Sequence, residues 1–283
     1  MSPFAERFLE LAKSRSPLCV GLDPTAQLLQ DWGFTINADG VRRFCERVIE
    51  AAGDRVAVFK PQAAFFEQFG APGMQELSRV IQTIRQSGAL SLIDCKRADI
   101  ADTMEGYAQA MLGAESGFGG DAMTAVAYLG FESLMPLLRR ATACSAAVFV
   151  VVRSSNPGGA VLQDAQLADG RSIADALADD ITAFNATVTK GIGPIGAVVG
   201  ATIERPAAAI LSRLPQSLIL APGVGAQGAS FADIARHFGA AVHRTLPSVS
   251  RGILGNGPSV VALRNAIEKC RQDAWRMLYR SES

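Results

Sequence analysis

Eight short runs of apolar and β-branched residues recur along the chain at near-regular intervals, and no other feature restricts its fold as tightly. They occupy residues 18–22, 56–59, 90–93, 123–126, 147–152, 195–200, 218–221 and 243–249. Apolar character is mostly unbroken within a run rather than alternating, as expected of strands covered on both faces in a parallel sheet. Between the runs lie stretches with helical spacing. Asn37 is placed to cap a helix whose apolar stripe is Val41, Phe44, Cys45, Val48 and Ile49, with Gly53 as its stop. Met74, Leu77, Val80, Ile81 and Ile84 repeat the pattern up to Gly88. Further helices are expected over 103–112, 172–190, 204–214 and 259–279. The step from run to run is roughly 32 residues, the size of a βα unit. Eight such units predict one α/β domain over residues 1–283, a (β/α)8 TIM barrel. A doubly wound open sheet shares the alternation, but no Gly-x-Gly-x-x-Gly follows the first run.

Composition narrows the function classes. Lys+Arg and Asp+Glu balance at 27 each, and no basic run is present, so a polymeric nucleic-acid partner is not expected. The longest charge-free stretch, residues 214–232, contains Pro215, Pro222, Gly223, Gly225 and Gly228 and is not a membrane span. Glu6 and Arg7 stand where an export signal needs an apolar core, which predicts a cytoplasmic protein. Cys19, Cys45, Cys95, Cys144 and Cys270 form no CxxC pair, and with only two histidines, His237 and His243, they outline no zinc site. Free thiols are expected.

In a (β/α)8 barrel the chemistry sits at the C-terminal ends of the strands. Here those ends are charged: Asp23 after the first run, Lys60 after the second, Asp94-Cys95-Lys96 with Asp99 after the third, and Arg251 after the eighth. Side chains alternate along a strand, so Asp94 and Lys96 share the interior face if Cys95 packs outward against helices. At 4 Å and an effective dielectric near 20, each opposite-charge pair is worth about 4 kcal/mol, so the set is tolerable only if every member is paired. The structural alternative is an ion network that plugs the barrel mouth. A second constellation is Pro222-Gly223-Val224-Gly225-Ala226-Gln227-Gly228 together with Ser250-Arg251. Glycines let backbone N–H groups approach an anion and an arginine forks onto phosphate oxygens, which points to a phosphorylated small molecule. A third is the polar group Arg153-Ser154-Ser155-Asn156-Pro157 after the very apolar fifth run; it could read a heterocycle or simply make a turn. It opens a long polar connection, residues 154–171, that is a candidate lid.

These residues resemble the orotidine 5'-phosphate decarboxylase family in its longer bacterial form, over nearly the whole chain. The resemblance rests on Leu22-Asp23-Pro24, Phe59-Lys60-Pro61, Asp94-Cys95-Lys96-Arg97-Ala98-Asp99-Ile100, Ser155-Asn156-Pro157-Gly158, the loop from Pro222 to Gly228, and Ser250-Arg251, in that order. It implies decarboxylation of orotidine 5'-monophosphate to UMP, without metal or organic cofactor. Lys60, Asp94, Lys96 and Asp99 would form a charged tetrad with Lys96 as proton donor, and Asp99 would cross the interface of a homodimer. Asp23, Lys60 and Thr103 would hold the ribose hydroxyls, Ser155 the pyrimidine edge, and Ile100 would wall the base. Gln227 and Arg251 would hold the 5'-phosphate, and Pro222 would be a further substrate-binding residue. Ala98 stands where the longer form often has glycine, and Asn156 where shorter members often have histidine.

Three other readings compete. A sugar-phosphate enzyme with a similar Asp-x-Lys motif would hold Mg²⁺, but it needs a glutamate among the strand ends, and none of the eight runs ends in one. A non-catalytic nucleotide-phosphate-binding barrel would not need the four charges. A Schiff-base aldolase would need a neutral lysine, which the flanking carboxylates of Lys96 disfavour.

Overall fold

A computed structural model of the chain describes residues 1–203, 205–225 and 228–279. Eight parallel strands close into a barrel in sequence order, the last pairing with the first. They are β1 (Cys19–Leu22), β2 (Val58–Pro61), β3 (Leu90–Arg97), β4 (Ala122–Ala125), β5 (Ala147–Arg153), β6 (Ile195–Val199), β7 (Ile219–Pro222) and β8 (Thr245–Val249). Each of the eight apolar runs is therefore a strand. The last is shorter than its run, because Gly239–Arg244 is wound into a 3₁₀ turn.

The helices follow the caps. Asn37 accepts a hydrogen bond from the Gly40 N–H, and Ala38–Ala52 ends at Gly53 with φ 56°. Ser172 and Asp175 form a reciprocal capping box at the start of Ile173–Val188. The helix expected over 103–112 begins earlier, at Ala101, and runs Ala101–Met111.

Alternation along the strands sorts the core into two layers. Val20, Leu22, Phe59, Ile93, Met123, Val148 and Val150 face outward and are buried under the surrounding helices. Cys19, Val58, Leu90, Leu92, Ala122, Phe149, Leu220 and Leu246 face inward and fill the lower barrel. An N-terminal helix, Phe4–Ser14, caps this inner layer from below: Phe4 and Phe8 are fully buried, and the Phe4 ring meets Phe149 edge-on at 6.0 Å. The Arg7 guanidinium anchors it to Asp121 at 2.7 Å. One step further up the strands polar side chains point inward, Lys60, Asp94, Lys96, Thr124 and Ser248, and Gly21 carries no side chain there. An apolar floor with a polar layer above it is what makes the mouth a site instead of more core.

Candidate active site

The polar layer opens into a cavity of about 320 Å³ whose lining includes Asp23, Lys60, Asp94, Lys96, Thr124, Ser155, Asn156, Pro222 and Arg251. Gly21 makes room for it, since a Cβ there would stand 2.8 Å from the Cβ of Ser250. A larger hollow of about 790 Å³ lies outside the barrel, between helices Phe231–Phe238 and Val260–Tyr279, and none of the charged strand-end residues lines it.

Asp94 is the hub. Its Oδ2 accepts from Lys60 Nζ at 2.7 Å, and its Oδ1 accepts from Lys96 Nζ at 2.5 Å and from the Thr124 hydroxyl at 2.9 Å. Lys60 and Asp94 are almost wholly enclosed, whereas the Lys96 side chain is 49% exposed toward the cavity. Burial alone would push the Asp94 carboxyl up, but the charges of Lys60 and Lys96 outweigh it and hold the group well below the usual carboxylate range. Burial would lower the Lys60 ammonium, yet Asp94, with a smaller contribution from Asp23, holds it above the ordinary lysine range. The pair is therefore locked as ions, and Lys96 presents its ammonium to the open space. Outward packing of Cys95 against the helices places Asp94 and Lys96 on one face, as the alternation predicts.

Lys96 itself sits at φ 44°, a backbone conformation that costs a non-glycine residue of order 1 kcal/mol or more and persists only where its surroundings hold it. Two features hold it. The pairing of β3 with β4 shifts register between Ile93 and Arg97, and the Lys96 N–H donates to Thr124 Oγ1 at 2.9 Å. One hydroxyl thus orients the Asp94 carboxylate and fixes the Lys96 backbone. Thr124 escaped the sequence reading because it is the only polar side chain of a short apolar strand, with no charge to flag it. Thr124→Val is expected to lower kcat about tenfold with KM within about twofold, and Thr124→Ser to restore it. Steady-state kinetics of the two variants checks this; a valine variant at wild-type kcat would remove Thr124 from the positioning of Lys96.

The remaining residues divide into two groups. Asp23 lines the cavity with its Oδ1 buried and unpartnered, and Ser250 Oγ is in the same position. Buried acceptors are costly unless a donor meets them, so these atoms are suited to ligand hydroxyls. Arg251 opens the short helix Arg251–Leu254 at the cavity rim and has no ion-pair partner among the described residues. Gln227 lies outside the described residues. Asp99, Ile100 and Thr103 lie at the approach to and in the first turn of helix Ala101–Met111 and do not line the cavity of their own chain; Ile100 is 58% exposed. Among the described residues no group of three or more His, Cys, Asp or Glu side chains is placed to hold a metal ion, and all five cysteines are free thiols.

Fold and site together define a (β/α)8 barrel in which two lysines share one buried carboxylate at the strand ends. Residues 16–266 match the model of the orotidine 5'-phosphate decarboxylase / HUMPS family. The chain is 47% identical over 268 residues to the orotidine 5'-phosphate decarboxylase of Myxococcus xanthus, covering 94% of this chain and 93% of that one. The crystal structure of a Streptomyces avermitilis protein, provisionally described as an orotidine 5'-phosphate decarboxylase, superposes with a TM-score of 0.93 at 42% identity, covering 99% of this chain and 97% of that one. The structure of Leishmania donovani OMP decarboxylase gives 0.82 at 33% identity, with 99% and 100% covered. The chain belongs to the orotidine 5'-phosphate decarboxylase / HUMPS family, as its motifs imply.

Proposed function

We propose that the protein is a carboxy-lyase that converts orotidine 5'-monophosphate to UMP and CO2, with no cofactor, in the synthesis of pyrimidine nucleotides. The observation that carries the reading is the Asp94 carboxylate shared between Lys60 and Lys96 at the ends of β2 and β3. Near full-length likeness to relatives named for this reaction supports it.

The chemistry follows from the charges. The bond between the pyrimidine ring and its carboxylate breaks, CO2 departs, and the electron pair stays on the ring carbon. A carbanion there needs a fixed cation beside it and then a proton, and the Lys96 ammonium supplies both. The new C–H bond takes the Lys96 proton, and solvent restores it through the open side of the cavity. Asp94 keeps Lys96 aimed. Asp23 and Lys60 take the ribose hydroxyls, Ser155 the pyrimidine edge, and Arg251 with Gln227 the phosphate end, while Pro222 lines the same cavity as a further substrate contact. Binding energy from these remote groups positions the base over Lys96.

Asp99, Ile100 and Thr103 do not line the cavity of their own chain, and in this reading a second copy receives them, which makes the working unit a homodimer. Thr103 then completes the ribose contacts, Ile100 walls the base, and Asp99 completes the tetrad. A mixture of Lys96→Ala and Asp99→Ala proteins tests this. Each alone is inactive, and a mixed dimer has one doubly damaged site and one intact site. Statistical mixing predicts recovery of about a quarter of wild-type activity. No recovery after verified subunit exchange would place Asp99 within its own chain's site or outside the chemistry.

UMP formation from orotidine 5'-monophosphate in EDTA is the primary test. Turnover that persists in the chelator is expected. Loss on chelation, restored by Mg²⁺, would favour a metal-dependent sugar-phosphate reaction instead, and UMP binding without turnover would favour a binding protein.

A further inference from the structure

Ser155 and Asn156 face Lys60, Asp94 and Lys96 across the cavity, yet they stand at the start of a long polar connection. Such a connection is a poor place for precise recognition unless something fixes it. At the end of β5 the pairing with β6 shifts register between Val151 and Arg153, which re-aims the strand end. The enclosed Arg153 guanidinium then reaches back into the connection. Its Nε and Nη2 fork onto the two Asp164 oxygens at 2.8 Å each, just past the short helix Gly159–Gln163. Its Nη1 donates to the Ser154 carbonyl at 2.8 Å. The neighbouring Gln163 Oε1 accepts from the Ser154 N–H at 2.9 Å, and its amide exchanges hydrogen bonds with the Ser154 hydroxyl.

Both backbone groups of Ser154 are therefore held by side chains, one from the strand and one from the connection. The next residue has little freedom left. Ser155 packs against β6 so closely that a Cβ at Gly200 would lie 2.9 Å from the Ser155 Cβ and 3.0 Å from its N. Gly200 leaves the space, and the Ser154 anchors decide how Ser155 fills it.

We infer that Arg153, Gln163 and Asp164 form a latch that sets the position of Ser155 and Asn156 and so governs recognition of the pyrimidine ring. They are positioning residues, since none touches the cavity's reactive charges. The inference rests on the reading that the ligand is a pyrimidine nucleotide. It recasts the 154–171 connection as a brace for the base-reading edge, not only a cover over the mouth. Ribose and phosphate contacts come from the ends of β1, β2, β7 and β8 and from Thr103, none of which is a partner of the latch. Its loss should therefore weaken the grip on the base and spare the rest.

The test compares UMP with ribose 5-phosphate, which lacks the base, by calorimetry on the intact protein. Asp164→Ala removes the fork, and Gln163→Ala releases the Ser154 N–H; both residues lie in the connection, so neither variant depends on removing the enclosed arginine. UMP is expected to bind about tenfold more weakly to each, the scale of one lost charge-assisted or backbone-orienting contact, while ribose 5-phosphate stays within about twofold of wild type. KM for orotidine 5'-monophosphate should rise in step. UMP affinity unchanged in both variants, or both ligands weakened alike, would overturn the latch. A wild-type protein that binds ribose 5-phosphate but not UMP would overturn the nucleotide reading and the latch with it, whereas normal wild-type binding with unaffected variants overturns the latch alone.

Discussion

Lys96→Ala is expected to lower kcat for UMP formation by on the order of 10⁵ while leaving the dissociation constant for UMP within about threefold. General-acid catalysis commonly contributes 10²–10⁴ and a preorganised charge at the developing anion a further 10²–10³. Lys96 would perform both tasks with one group, so its loss removes them together instead of one at a time. Binding is spared because the ribose and phosphate groups are held from other strands. Stability should also change little, since the Lys96 side chain is half exposed and Asp94 retains its bonds to Lys60 and Thr124. Single-turnover UMP formation alongside UMP calorimetry distinguishes the outcomes. Residual activity above about 1% of wild type would mean that another group delivers the proton. A parallel collapse of UMP affinity would mean that Lys96 is chiefly a binding residue.

Legibility in the sequence depends on which physical signal each residue carries. The strands were legible because burial on both faces writes unbroken apolar runs, and the eight runs match the eight strands of the closed barrel. Asp94 and Lys96 were legible because strand alternation has a period of two, which leaves no choice of face once Cys95 packs outward. The barrel floor was harder. The charges of Glu6 and Arg7 drew the eye first, yet Phe4 and Phe8, one helical turn apart, carried the signal for a capping helix. Thr124 and Gln163 show where such reading stops. A hydroxyl or an amide acquires its role from a partner distant in sequence, and nothing in the local pattern names that partner. Asp99, Ile100 and Thr103 mark a different boundary: their place on the approach to one helix says where they are, but not which copy's cavity they serve.

The largest stability effect is expected at Asp94. Asp94→Asn leaves Lys60 enclosed beside a neutral amide, with Lys96 no longer drawn to the same carboxylate. Removing one partner of a buried ion pair typically costs about 3–5 kcal/mol, because the remaining charge stays desolvated. Urea unfolding should show that loss near neutral pH, together with loss of turnover. The acid side gives a second check whose sign is determined by the shift. The folded Asp94 value lies below its unfolded value, so its contribution is fully present above the ordinary carboxylate range near pH 4 and fades as the pH falls through the depressed folded value. The gap between wild type and Asp94→Asn should therefore be flat from about pH 6 to 8 and narrow progressively below about pH 4. Lys60 acts in the opposite sense: its raised value keeps the pair's contribution intact below the ordinary lysine range near pH 10 and loses it only as the pH climbs through the folded value. A double variant, Lys60→Met with Asp94→Leu, should recover much of the lost stability and none of the activity, since apolar groups of similar volume often replace a buried ion pair at little cost. Recovery of that kind would show that the charges are kept at the barrel mouth for chemistry. A cost below about 1 kcal/mol for Asp94→Asn would instead mean that the pair behaves as a solvated surface bridge, and the enclosure of Lys60 and Asp94 would carry no electrostatic consequence.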